Sequence, residues 1–297
     1  MLLRYNYLKG WYLNLSNVTI ITDSTCDLTP EIIKEKNIVV LPLYVNFSFA
    51  SYKDGDGITT DQLYKLVEEH NELPKTAAIS VADFIEAFTK YVNDGNEIIY
   101  GGISSAMSRT YENALLAAKE VNEEKIHIID AANLSTGIGL QILKACKYRD
   151  EGKSAKEIVE LMNKNVALVK SQFAIETMEY LHKGGRCSGI ARFFGSLLKI
   201  KPRIVVRDGK MSVGKMPHGK MKVALDAMLK MIADDKDNVD LDNIIITHSK
   251  ADSYADYLIP KVKEMFKEAN VFPTNAGCVI SSHCGKGTIG ILYMLKK

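Results

Sequence analysis

The chain has 297 residues, 46% hydrophobic and 25% charged, with 38 Lys and Arg against 36 Asp and Glu. That is the size and composition of a globular protein with room for two ordinary domains, and a net charge of +2 argues against a broad surface for nucleic acid or acidic membrane. The five cysteines, Cys26, Cys146, Cys187, Cys278 and Cys284, form no CxxC pair, which leaves a zinc ribbon or a disulfide framework unsupported and suits a reducing cytoplasm.

The first fifteen residues, MLLRYNYLKGWYLNL, are interrupted by polar groups and lack the apolar core and cleavage site of a secretion signal. They read as a loosely attached, aromatic extension (1–15). VTIIT (18–22) is a short buried strand, and Thr29-Pro30-Glu31 places a cap and an N1 proline at the start of a helix. VVLPLYVNF (39–47) is a strand whose Pro42 marks an edge or a bulge. Thr59 with Gln62, Ser80 with Asp83 and Ser154 with Glu157 are capping boxes opening helices. EIIYGGI (97–103) and KIHIID (125–130) are further strands, each followed by a helix. Short apolar strands alternating with helices predict an α/β domain over 16–165, with a mostly parallel sheet covered on both faces.

The pattern changes near residue 165. VALVKSQFAI (166–175) is a strand, and Asp208-Gly209 is a hairpin signal between two β-type runs. Helices over 220–234 and 253–270 flank the strand NIIITHS. VISSHCGKGTIGILYML closes the chain as strand, glycine-rich turn and strand. The second domain, 166–297, is thus an α+β unit with a mixed or antiparallel sheet. No run approaches the roughly 20 apolar residues of a membrane span.

The motifs for chemistry mostly fail. GKGTIG (285–290) matches GxGxxG, but seven residues remain after Gly290, and a dinucleotide site needs a helix, a strand and an acidic residue there. GKMPHGKM (214–221) lacks the magnesium-binding Ser or Thr of a P-loop. The six histidines show no HxxxH or HExxH spacing. Ser105 and His283, with Asp23 or Asp130, leave an esterase or acyltransferase open without a GxSxG elbow. What remains is a set of loop hydroxyls and acids at strand ends: Asp23, Ser24 and Thr25; Ser104 and Ser105; Asp130. In an open parallel sheet those ends form the ligand-binding rim, and a helix starting near Ser108 aims its N-terminus there, a combination suited to a small anionic group such as a carboxylate.

Six motifs in order, IITDSTCDL (20–28), LPKTAAIS (73–80), ISSAMSRTYENA (103–114), ETMEYLHKGGR (176–186), LLKIKPRI (197–204) and ISSHCGKGTIGI (280–291), resemble the DegV family from Val18 onward. The resemblance implies a two-domain α/β protein that binds one long-chain fatty acid between its domains. It further implies that the protein is not itself an enzyme. It would present the carboxylate to a separate fatty acid kinase, whose acyl phosphate product serves phospholipid synthesis. No cofactor or metal is implied for this chain, no nucleic acid partner, and at most transient membrane contact.

Carried over by motif, Thr76, Ser104, Ser105 and His283 are expected to hold the carboxylate. Asp23, Ser24, Arg109 and Lys286 are expected nearby, and Arg186 of the KGGR motif is expected to dock the kinase. The tail, worth about 0.8 kcal/mol per buried CH₂, is expected among Phe173, Ile190, Phe193, Phe194, Leu197 and Leu198. The chain departs from the family pattern at Ala77, Ala78-Ile79, Pro217-His218-Gly219-Lys220, Arg109 and Lys286. The last two bear on ligand choice. A binder of another anionic amphiphile, without a kinase, is the alternative reading.

Overall fold

The run VTIITD forms strand β1 (Val18–Asp23), buried along almost its whole length, and a four-stranded parallel sheet assembles around it. The computed structural model describes residues 17–192, 201–214 and 219–296. The N-terminal extension, Phe193, Phe194, Leu197, Leu198 and half of the P-loop-like stretch (215–218) lie outside them.

After β1 come α1 (Pro30–Glu35), begun by the Thr29 cap and Pro30, and β2 (Ile38–Leu41). Pro42 ends β2, and the chain leaves for a different sheet, so the single strand expected over 39–47 is two. β3 (Tyr44–Asn46), β4 (Ser51–Lys53) and, beyond α2 (Thr60–His70), β5 (Lys75–Ala77) make a small antiparallel sheet ordered β4-β3-β5. α3 (Val81–Asn93), β6 (Glu97–Gly102), α4 (Thr110–Val121), β7 (Ile126–Asp130), α5 (Thr136–Asp150) and α6 (Ala155–Asn165) follow. The parallel sheet runs β2-β1-β6-β7. All three capping boxes form, at Thr59, Ser80 and Ser154.

The second sheet has seven strands: β8 (Val169–Ala174), β9 (Cys187–Ser188), β10 (Arg203–Arg207), β11 (Lys210–Val213), β12 (Val239–Ser249), β13 (Val271–Asn275) and β14 (Thr288–Leu295). Their order is β13-β12-β14-β8-β10-β11-β9, mixed in direction. The β10–β11 hairpin turns at Asp208 and Gly209, with φ of 48° and 73°, as a two-residue turn with positive φ at both positions requires. The helices are α7 (Glu179–Gly184), α8 (Met221–Asp234), α9 (Asp252–Met265) and α10 (Cys278–Cys284).

Two further features correct the expectations. The helix expected over 253–270 stops at Met265. Residues 279–283, expected to be a strand, lie in α10. Its Val and Ile favour strands, but Asp54, distant in sequence, accepts from the backbone N–H groups of Cys278 and Val279 at 2.7 and 3.3 Å. That supplies the helix start that the local sequence lacks.

The layers follow from burial. Phe84 and Phe88 of α3 and Tyr100 of β6 share one core with α4 on one face of the parallel sheet. On the other face lies α5, whose first seven residues, Thr136 to Ile142, are all buried. A helix buried all round sits between two apolar surfaces. Here Ile138 and Ile142 share a core with Ile20 and Ile99 of the parallel sheet and with Phe173 and Leu292 of the larger one. α8 and α9 cover the larger sheet's outer face. The junction between the sheets is also ionic: Lys144 of α5 reaches Asp240 and Asp242 of β12 at 2.6 and 2.7 Å.

Candidate functional site

A cavity of about 270 Å³ opens where the two sheets meet. It is nearly twice the roughly 150 Å³ apolar cavity that admits benzene in an engineered protein. Its apolar wall comes from both halves of the fold: Ile103, Met107 and Leu134 on one side, Phe173, Met211 and Leu292 on the other.

Thr76 and His283 stand together in its wall. Thr76 lies on β5, paired with Val45 of β3, and its hydroxyl is 2.8 Å from His283 Nε2. His283 is carried by α10, which is fixed at its start from the other half of the fold. Asp54 caps it as described, and Asp27 accepts from Gly277 N–H at 2.8 Å and from the Ser135 hydroxyl at 2.5 Å. Burial pushes the carboxyls of Asp27 and Asp54 upward, while the same hydrogen bonds pull back.

The His283 ring has one nitrogen unanswered: Nδ1 is shielded from solvent and has no hydrogen-bond partner among the described residues. A Cβ added to Gly184 would fall 2.4 Å from it. The KGGR motif thereby acquires a physical reason. Gly184 lets α7 approach the ring, and Gly185, at φ 70°, turns the chain out of the helix in a conformation glycine adopts freely. Burial, followed by the nearby charge of Arg186, depresses the His283 pKa to about 4, so the ring is neutral at pH 7. With Nδ1 unheld by a carboxylate or carbonyl, Thr76 and His283 lack the orienting third group of a catalytic triad.

The remaining sequence-predicted residues divide sharply. Arg109 and Arg186 line the cavity, as does Phe173. Arg186, expected only at a docking surface, is therefore also part of the wall. Ser104 and Ser105, expected on the carboxylate, are spent elsewhere. Ser104 donates to Gly209 O at 2.8 Å, tying the loop after β6 to the β10–β11 turn. Ser105 donates to Asp130 at 2.6 Å. Neither lines the cavity, and Ser105 makes no pair with His283.

Asp23 is fully buried beneath the wall. It accepts from Tyr100 OH at 2.8 Å, Ile103 N–H at 2.9 Å and the Thr25 backbone N–H and hydroxyl, and burial raises its pKa. Ser24 accepts from Leu43 N–H. Both brace the loops that shape the cavity without reaching it. Lys286, in the turn between α10 and β14, and the buried Ile190 do not line it either.

Sequence reasoning missed several wall residues: Ser108, Ser135, Thr247 and Ser249 among the polar ones. Ser108 lies within ISSAMSRTYENA (103–114). Ser135 adopts φ 53° and ψ −147°, a strained conformation for a non-glycine residue that no sequence pattern announces. Among the described residues no group of His, Cys, Asp and Glu has the arrangement to hold a metal ion, and no helix is long and apolar enough to cross a membrane.

A family model described as "Uncharacterised protein, DegV family" matches residues 17–296. A DegV domain-containing protein of Clostridium acetobutylicum is 36% identical over 282 residues, covering 95% of this chain and all of that one. Among solved structures, a fatty-acid-binding DegV family protein from Thermus thermophilus superposes with a TM-score of 0.87 at 27% identity, covering 94% of this chain and 99% of its own. A DegV lipid-binding protein from Thermotoga maritima does so with a TM-score of 0.81 at 26% identity, covering 94% and 98%.

Proposed function

The chain belongs to the DegV family, and from that premise we propose that it binds one long-chain fatty acid in the cavity and presents the carboxylate to a separate fatty acid kinase. The observation that carries the binding half is a largely apolar cavity between the sheets whose wall holds the hydrogen-bonded Thr76–His283 pair, its imidazole neutral, with the Arg186 charge beside it.

Thr76 and His283 supply neutral hydrogen bonds to the carboxylate, and Arg186, whose charge is felt at His283, its counter-charge. Ser104 and Ser105 are left out of this assignment because their hydroxyls answer Gly209 and Asp130. The tail runs along Phe173, Leu292, Met107 and their neighbours. At about 0.8 kcal/mol per CH₂, a tail of some 15 methylenes contributes roughly 12 kcal/mol against association costs of about 4–15 kcal/mol. The tail therefore sets affinity and the head sets orientation.

Phosphoryl transfer would belong to the partner, which brings ATP and metal. A carboxylate oxygen forms a bond to the γ-phosphorus, the bond to ADP breaks, and an acyl phosphate remains on this protein. Carriage by a cytoplasmic binding subunit needs no nucleophile of its own. The test is titration of lipid-free protein with a fluorescent fatty acid, followed by an assay of acyl phosphate formation with a fatty acid kinase and ATP. Saturable one-to-one binding, weakened at least tenfold by Thr76→Val with His283→Ala, supports the site; no saturable binding overturns it. Binding without acyl phosphate formation removes the kinase half and leaves a binder of anionic amphiphiles.

A further inference from the structure

We propose that Arg109 makes this cavity favour a long-chain amphiphile whose head carries two negative charges over one carrying a single charge. On the reading above, which this inference rests on, the protein grips the phosphorylated ligand more tightly than the fatty acid itself.

The preference follows from a count of charges. Arg109 and Arg186 both line the cavity, and among its described lining residues there is no Asp or Glu. His283 and His248, both lining the cavity and both with pKa values lowered chiefly by burial, add nothing to either side at the working pH. A monocarboxylate therefore answers one guanidinium and leaves the other with no anionic partner in the cavity.

The two arginines are also differently placed. Arg186 already donates through Nη1 to Gly184 O at 2.7 Å. Arg109 stands at the N-cap position of α4, yet its side chain makes no capping bond. The first N–H of that helix, from Thr110, is already taken by the Ser108 hydroxyl at 3.2 Å. Among the described residues the Arg109 guanidinium has no hydrogen bond or ion pair. It is an exposed fork at the cavity mouth, beside the positive end of a helix of 12 residues. A planar fork with unused donors suits a tetrahedral phosphate or a second carboxylate, which it binds through two oxygens.

The experiment compares equilibrium binding of palmitate, hexadecyl phosphate and hexadecylmalonate to lipid-free protein. A working pH of about 8 keeps the phosphate doubly charged, its second pKa being about 6. Wild type is expected to bind hexadecyl phosphate at least tenfold more tightly than palmitate. Arg109→Gly is expected to narrow that ratio to within about threefold while palmitate affinity changes less than about threefold, and Arg109→Lys to restore part of it. If hexadecylmalonate shares the preference, charge is what is selected; if only the phosphate shows it, the tetrahedral head is. Palmitate binding with no preference in wild type, or a preference that survives Arg109→Gly, overturns this inference alone. Failure of all three amphiphiles to bind overturns the fatty acid reading and this inference with it.

Discussion

Replacing His283 with Gln tests the electrostatics of the site through the stability of the ligand-free fold. The ring titrates at about 4 instead of its ordinary 6.5, because burial and the Arg186 charge disfavour the imidazolium. Below pH 6.5 the unfolded chain takes up a proton that the folded one refuses. Stability is then lost as pH falls through 6.5 towards 4, and the full loss is present below the folded value. The gap corresponds to roughly 3 kcal/mol. Asp23, Asp27 and Asp54, whose pKa values are raised by burial, act in the opposite direction, but they do so equally in wild type and variant and cancel in the comparison. Gln retains a hydrogen-bonding group towards Thr76 and does not titrate. Urea unfolding at about pH 7 and about pH 4 should therefore show wild type losing roughly 3 kcal/mol more than His283→Gln over that interval. Arg186→Ala, by removing the second cause, should shrink the difference. Parallel pH profiles for wild type and His283→Gln would refute the reasoning.

Three further outcomes follow from the same geometry. Asp54→Ala strands the N–H groups of Cys278 and Val279 at the start of α10, and at about 1–3 kcal/mol for each unsatisfied group it should cost about 2–6 kcal/mol in chemical denaturation; a change below about 0.5 kcal/mol would show that the cap is dispensable. Gly184→Ala sets a Cβ against His283 Nδ1, so fatty acid affinity by fluorescence titration should drop at least tenfold, whereas an unchanged affinity would mean that the ring tolerates displacement. Ser104→Ala removes the bond to Gly209 O and should cost about 1 kcal/mol of stability with fatty acid affinity within about twofold of wild type; a tenfold weakening would return Ser104 to the carboxylate site.

What the sequence disclosed was local. Thr59 with Gln62, Ser80 with Asp83 and Ser154 with Glu157 announce their helices because both halves of a capping box lie within one turn, and all three form. Asp208-Gly209 announces its hairpin for the same reason. α10 was illegible because its start is made by Asp54, more than 220 positions away, against the strand preference of its own Val and Ile. The serine pair was only partly legible for a related reason. Its position after a strand was legible, but the surface it faces depends on Gly209, 105 positions on. Thr76, and a ligand-holding role for His283, were reached only through the motifs that resemble the family; their 2.8 Å contact joins residues 207 positions apart. The role of Gly184, a missing side chain that admits the ring, becomes visible only when the ring is in place.

The most direct measurement of the central claim is to denature the purified protein, extract it with organic solvent and identify the released molecules by mass spectrometry. The account predicts about one long-chain fatty acid, or its phosphorylated form, per chain. A protein that releases no such amphiphile, and that takes up no palmitate when it is added, would contradict it.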